Sequence, residues 1–448
     1  MAAKPDKKRV LSSNEQRGRG RAPLVSVLVA LSLVASCAIL ISVRYGWGFG
    51  DAENGNANQE QQSTASPPEA TDETPQRQEE TPTPTISIEP PPPKTPAVTV
   101  RGIYVGARFA DDEERISDYI ELCGEDVINS LIIDVKEDGG QITFLNNNES
   151  LSATSYNIIP NIEQLVSRMK EEGIYTIARL VCFKDPIWSR LNPEHALVDS
   201  NGNIWEDGGR SAWLDPYDTA AWEYLAEAAI EAARVGFDEI QLDYVRFPSD
   251  GRIDQIVYSS ASSGKTKAEV ICEFLEYMRE ALADTPIWLS ADVFGIISVG
   301  RGDFENIGQD LELLLQNADY VCPMIYPSHF ANKMENGVGQ IINGILFEIP
   351  DLEPYEVVYN ILRLYKNRLP EEDGDAAIIR PYLQAFTAPW LGSGYFQTYT
   401  AQEVYEQIRA VYDAGFDEWI LWNPFGDPNL YRNVSSLISS ENSAGSSS

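Results

Sequence analysis

After residue 23, the order of apolar and polar positions divides the chain into four stretches. The run LVSVLVALSLVASCAILISV, residues 24–43, holds no charged side chain. As a helix rising about 1.5 Å per residue it matches a hydrocarbon core of about 30 Å, so residues 24–43 are expected to span a membrane as a signal-anchor. From residue 44 to 97 apolar positions thin out and Pro, Thr, Glu, Gln and Asn dominate, with TPTPT and EPPPPKTP among them. Such a segment buries too little to offset its ordering, which predicts a disordered, semi-rigid spacer. Regular periodicity then occupies residues 98–434. The Ser-rich end, residues 435–448, is expected to be a disordered tail.

Inside residues 98–434, eight short β-branched or aromatic runs predict strands. They are RGIYVG from Arg101, SLIIDVK from Ser130, YTIARLVCF from Tyr175, EIQLDYVRF from Glu239, PIWLSADVFG from Pro286, YVCPMIYP from Tyr320, AIIRPYLQAF from Ala377 and EWILWNPFG from Glu418. Between them, apolar residues three and four apart predict helices starting near Asn161, Ala220, Lys267, Glu353 and Ala401. Several of these close on Gly, as helix ends do. The alternation predicts one α/β domain, a (β/α)8 TIM barrel, rather than an open doubly wound sheet. No Gly-rich phosphate loop follows any run, which removes the dinucleotide-binding alternative. Gly-Phe-Asp-Glu occurs twice, at residues 236–239 and 415–418, and reads as a repeated helix-to-strand connection at the bottom of the barrel. Asp243 and Trp422 occupy equivalent places in the strands that follow.

Charge adds orientation. Residues 1–23 carry Lys4, Lys7, Lys8, Arg9, Arg17, Arg19 and Arg21 against Asp6 and Glu15, which keeps this end in the cytoplasm and places everything after Arg44 outside. A lipidated Cys37 in Val34-Ala35-Ser36-Cys37 and a cleaved signal are the rival readings, although the apolar run continues past Ser36 to Val43. The net charge of -34 disfavours nucleic acid and anionic polymers as the main partner and suits solubility outside a cell. Five widely spaced cysteines give neither a disulfide framework nor a zinc site. With only His195 and His329, a histidine-rich metal centre is excluded, and no G-x-S-x-G elbow is present. No cofactor is expected, and the protein is expected to be monomeric.

Barrel active sites lie where strands end, which draws attention to Asp134, Asp138, Asp243 and Asp292. A carboxylate within an apolar run must be compensated. Arg179 or Arg246 could do so through internal salt bridges, and Lys136 could pair with Asp134; alternatively these acids are functional. Two carboxylates facing one another across a sugar are what glycosidic hydrolysis needs, and Asp243 and Asp292 come from adjacent strands. Tyr104, Trp188, Trp205, Trp213, Tyr244, Tyr382 and Trp390 add aromatic faces near this rim. The expected catalytic pair is Asp243 and Asp292. Asp134, Arg246, Tyr326, His329, Gln384, Trp422 and Asn423 are expected to hold a carbohydrate substrate.

The motifs RGIYVG, LIIDVKEDGG, ARLVCFKDP, FDEIQLDYVRFPSDG, LSADVFG and MIYPSHF together resemble the "putative glycoside hydrolase domain" family, over nearly all of residues 98–434. The resemblance implies an amylase-like (β/α)8 barrel whose nucleophile is the Asp ending the fourth strand, the place of Asp243. The sequence departs from that pattern in having Gln241 where Arg is expected and Asp292 where Glu is usual. A membrane-anchored extracellular glycoside hydrolase is the leading expectation. A non-catalytic carbohydrate-binding or wall-associated protein and a carbohydrate esterase are the alternatives.

Overall fold

A computed structural model of the chain describes residues 93–445, except residues 126, 260–263 and 371–375. Its centre is a closed ring of parallel strands: β1 (Arg101–Val105), β2 (Ser130–Lys136), β3 (Tyr175–Val181), β4 (Glu239–Asp243), β5 (Trp288–Phe294), β6 (Tyr320–Ile325), β7 (Tyr382–Gln384) and β8 (Trp419–Trp422). Pairing of β8 with β1, Trp419 opposite Arg101, closes the barrel. All eight predicted runs are therefore strands. β2, β3 and β4 are buried along their whole length, as strands covered on both faces must be.

After each strand comes a helix on the outside: α1 (Glu113–Cys123), α2 (Ile162–Glu171), α3 (Thr219–Val235), α4 (Lys267–Ala281), α5 (Leu311–Asn317), α6 (Pro354–Lys366), α7 (Ala401–Asp413) and α8 (Pro428–Gly445). The pattern of apolar positions had predicted five of them. α1, α5 and α8 are the other three, and α8 corrects the expectation for the tail. Residues 435–445 continue a helix whose Tyr431, Val434 and Ile438 are buried on one side, where it packs against α1 and α7. Three apolar positions at helical spacing supply a docking face that the serines around them obscure.

The linker also ends earlier than expected. Thr95 N–H donates to Pro286 O at 2.9 Å and Trp288 Nε1 donates to Thr95 O at 2.9 Å, while Lys94 Nζ lies 2.6 Å from Asp319. The chain thus joins the barrel at the strand-start end. The expected span at residues 24–43, Cys37 and most of the spacer lie outside the described residues. No helix among the described residues is long and apolar enough to cross a membrane.

The repeated Gly-Phe-Asp-Glu has a structural role at that same end. Gly236 and Gly415 take positive φ, 109° and 85°, which end α3 and α7 and which a side chain would strain. Glu239 and Glu418 then converge on a single buried guanidinium. Arg380 Nη1 donates to both Glu239 oxygens at 2.8 and 2.9 Å, and Nε donates to Glu418 at 2.6 Å. The Arg380 guanidinium also covers the Tyr320 ring at 3.8 Å. Removing one partner of such a cluster leaves the others charged and uncompensated. Arg380→Met is expected to cost about 3–5 kcal/mol in urea denaturation. The triple variant that also carries Glu239→Gln and Glu418→Gln is expected to recover much of that loss.

Candidate active site

Alternate residues of the strands point into the barrel, so its interior is built in layers. Above the Arg380 cluster, Tyr382 donates to Gln241 at 2.5 Å, which accounts for the amide at that position. One step higher, at the strand ends, polar groups gather again, around Arg179 of β3.

Arg179 Nη1 donates to Asp134 at 2.7 Å and Nη2 donates to Asp138 at 3.1 Å. Its Nε and Nη2 both donate to Asp243 Oδ2, at 3.0 and 2.5 Å. The other Asp243 oxygen accepts the Tyr244 N–H at 2.6 Å. Tyr244 pays for that contact with φ near 50°, uncommon for a residue with a side chain. Asp134 lies beneath the guanidinium, where the Tyr104 hydroxyl also donates to it at 2.5 Å. The Tyr104 ring stacks on Trp422 with centroids 3.9 Å apart.

Asp292 stands beside this network in a different environment. Leu242 of β4 is level with Ala291 of β5, so Asp243 and Asp292 follow at one height on neighbouring strands. Asp292 is 2% exposed and its Oδ1 has no hydrogen-bond partner among the described residues. Burial, followed by the negative charge of Asp243, pushes its carboxyl well above the usual range. Gln309 fixes the backbone here, accepting from Phe294 N–H at 2.9 Å and donating to Asp292 O and Val245 O at 3.4 Å each.

A cleft of about 1000 Å³, its open mouth included, lies over both acids. Asp243, Asp292, Arg246, Tyr326, His329 and Trp422 line it, as expected. Both His329 ring nitrogens are buried without partners among the described residues, and burial pushes the imidazole down to about 4, leaving it neutral near pH 7. The other three expected substrate contacts are absent from the lining. Asp134 serves Arg179 and Tyr104 instead. Gln384 is fully buried and its amide is saturated: Oε1 accepts from Ser328 N and Oγ, and Nε2 donates to Asp351 and Phe386 O. Asn423 Oδ1 accepts the Phe425 N–H at 3.0 Å and shapes the turn after β8.

Other residues line the cleft as well. Asp138 and Tyr244 lie inside the motifs LIIDVKEDGG and FDEIQLDYVRFPSDG and were noted at the rim, though not among the expected substrate contacts. Phe294, Ile296, Met324 and Phe330 carried no such signal, since an apolar residue near a strand end reads as core. Among the described residues no group of acids, histidines and cysteines is arranged to hold a metal ion.

A family model described as "Putative glycosyl hydrolase domain" matches residues 102–427, a span that runs from β1 to just before α8 and contains every residue of the cleft. The chain belongs to this glycosyl hydrolase domain family. Among solved structures, a hypothetical protein from Ruminiclostridium thermocellum is 38% identical over 44% of this chain and 99% of its own, with a TM-score of 0.40. The α-L-fucosidase isoenzyme 2 from Paenibacillus thiaminolyticus is 14% identical over 77% of this chain and 50% of its own, with a TM-score of 0.50. The PgaB (BpsB) glycoside hydrolase domain from Bordetella bronchiseptica is 13% identical over 73% of this chain and 94% of its own, with a TM-score of 0.49. No curated protein matches the chain. The likeness to the fucosidase is one of fold, the TIM barrel that the glycosyl hydrolase domain adopts here.

Proposed function

We propose that this protein hydrolyses glycosidic bonds of a polysaccharide or oligosaccharide through Asp243 and Asp292. One observation carries the reading: two carboxyl groups stand level on adjacent strands in opposite environments. Three N–H donors converge on Asp243, while Asp292 is buried with an oxygen that has no partner among the described residues, and burial pushes its carboxyl well above the usual range. Two acids in such different surroundings suit a charged partner and a proton donor. Asp243 attacks the anomeric carbon, and Asp292 protonates the leaving oxygen. The spacing of adjacent strands, about 5 Å, favours the short carboxyl separation of a retaining mechanism. Tyr326, His329, Arg246 and Trp422 orient the sugar, and Asp134 positions Arg179.

The protein is proposed to act outside the cell, held by residues 24–43. The uncharged run and the basic residues before it support this. Docking of Lys94 and Thr95 at the strand-start end would let a tether leave opposite the cleft. A membrane fraction that retains the protein after carbonate washing, together with protease access to the barrel in intact cells, is the expected result; an entirely cytosolic protein would remove the anchor. The purified protein, screened against bacterial wall and plant glycans, is expected to release reducing ends, with Asp243→Asn as the inactive control. Release of acetate without new reducing ends would point to an esterase instead.

A further inference from the structure

Five cationic side chains are buried among the described residues, and four have a carboxylate within salt-bridge distance. Arg179 faces three aspartates, Arg380 faces two glutamates, Lys136 lies 2.8 Å from Asp185 and Lys184 lies 3.6 Å from Asp138. Arg246 is the exception. It is 7% exposed, and its only hydrogen bonds among the described residues run from Nη1, to Phe247 O at 2.9 Å and Ser249 Oγ at 3.2 Å. Nε and Nη2 make none, and the side chain lines the cleft beside Asp243.

Nearby acids are already engaged elsewhere. Asp207 accepts from Gly209 N, Ser211 N and Trp213 Nε1, and Asp243 accepts from Arg179 and Tyr244 N. Burial, followed by the charge of Asp207, pushes Asp250 up and weakens it as a counter-ion. Consistent with an unpaired cation, burial holds Arg246 below its usual range, whereas Arg179 and Arg380, despite their burial, are held above it by carboxylates. A buried charge without a partner is costly, and an anion brought by a ligand would relieve that cost.

The surroundings also restrict the anion's shape. The guanidinium carbon lies 5.1 Å from the Trp213 ring, 5.1 Å from Tyr244 and 4.6 Å from Phe294. Three aromatic rings thus lie within 5.1 Å of the guanidinium, and its Nε–Nη2 edge is the one without an acceptor among the described residues. That edge matches a planar carboxylate in a two-pronged contact.

We propose that the sugar bound beside Asp243 is a uronic acid whose carboxylate pairs with Arg246. This rests on the glycosidase reading of the same cleft. It also refines the expectation drawn from net charge, since a charge of -34 acts through a screened long-range field whereas a recessed guanidinium acts at contact.

The test uses the full-length protein in detergent with homogalacturonan, alginate and glucuronoxylan, each beside its carboxyl-reduced form, which keeps the backbone and linkages but lacks the charge. Cleavage or binding of at least one native acid polymer is expected to exceed that of its reduced form by about 10- to 100-fold. Arg246→Met is expected to bring that ratio towards one, and Arg246→Lys to restore part of it. Equal or better use of the reduced polymers overturns the uronate assignment and leaves the glycosidase reading standing. Tight binding of an acid polymer without cleavage supports the assignment and sinks the hydrolase reading. Failure to bind or cleave any acid polymer overturns the assignment, as does a preference for κ-carrageenan, a sulfated polymer without uronate.

Discussion

Asp243→Asn is expected to lower kcat by about 10⁴-fold or more while the protein keeps its fold. The amide is nearly the same size, but it is a poor nucleophile. Arg179 retains Asp134 and Asp138 as partners, so its charge stays compensated after the change. Circular dichroism and the urea midpoint should therefore move little, in contrast to the Arg380 variant. If Asp243 forms the glycosyl-enzyme bond, azide added to Asp243→Ala should restore turnover and yield a glycosyl azide of inverted configuration. Full activity in Asp243→Asn would remove this residue from the chemistry. An inverted sugar product from the unmodified enzyme would instead make it the base that activates water.

Asp292→Asn is expected to lower kcat by about 10²–10⁴-fold, with the smallest loss on aryl glycosides whose leaving groups depart without protonation. A proton donor acts in its protonated form, so if Asp292 has this role kcat/KM of the unmodified protein should fall as pH rises through its raised pKa. That high-pH limb should be absent from Asp292→Asn. Stability follows the same sign. The folded state binds this proton more tightly than the unfolded state does, so the contribution is fully present below the unfolded value of about 3.9 and is lost as pH rises through the folded value. Urea midpoints of the unmodified protein should decline over that window, and those of Asp292→Asn should decline less. Identical pH profiles for both proteins would disqualify Asp292 as the proton donor.

The barrel was legible because its strands are short, strongly apolar and separated by amphipathic helices, features that depend on local order alone. The candidate acids were visible too, since an aspartate closing IQLDY or LSADV has no local reason to be there. Arg179 was harder to place. In YTIARLV it reads as a salt-bridge partner, and only the register of β2, β3 and β4 shows one guanidinium joining Asp134, Asp138 and Asp243. Gln384 and Asn423 stand at strand ends just as Asp243 does, but Ser328, Asp351 and the turn before Phe425 have taken their amides.

Gly-Phe-Asp-Glu illustrates the same division. By itself the sequence determined that a helix ends on a left-handed glycine and a strand begins, twice, because backbone conformation at such a joint depends on the residues within it. It also determined the alternating pattern that makes a barrel, and the places where acids close strands. Tertiary structure decided that both glutamates share Arg380 and, among the described residues, that Asp243 is paired while Asp292 is not and that Arg246 lacks a carboxylate. Those outcomes depend on which charges meet after burial. Burial makes each unpaired charge costly, and its partner comes from another strand or loop that the order of residues does not name.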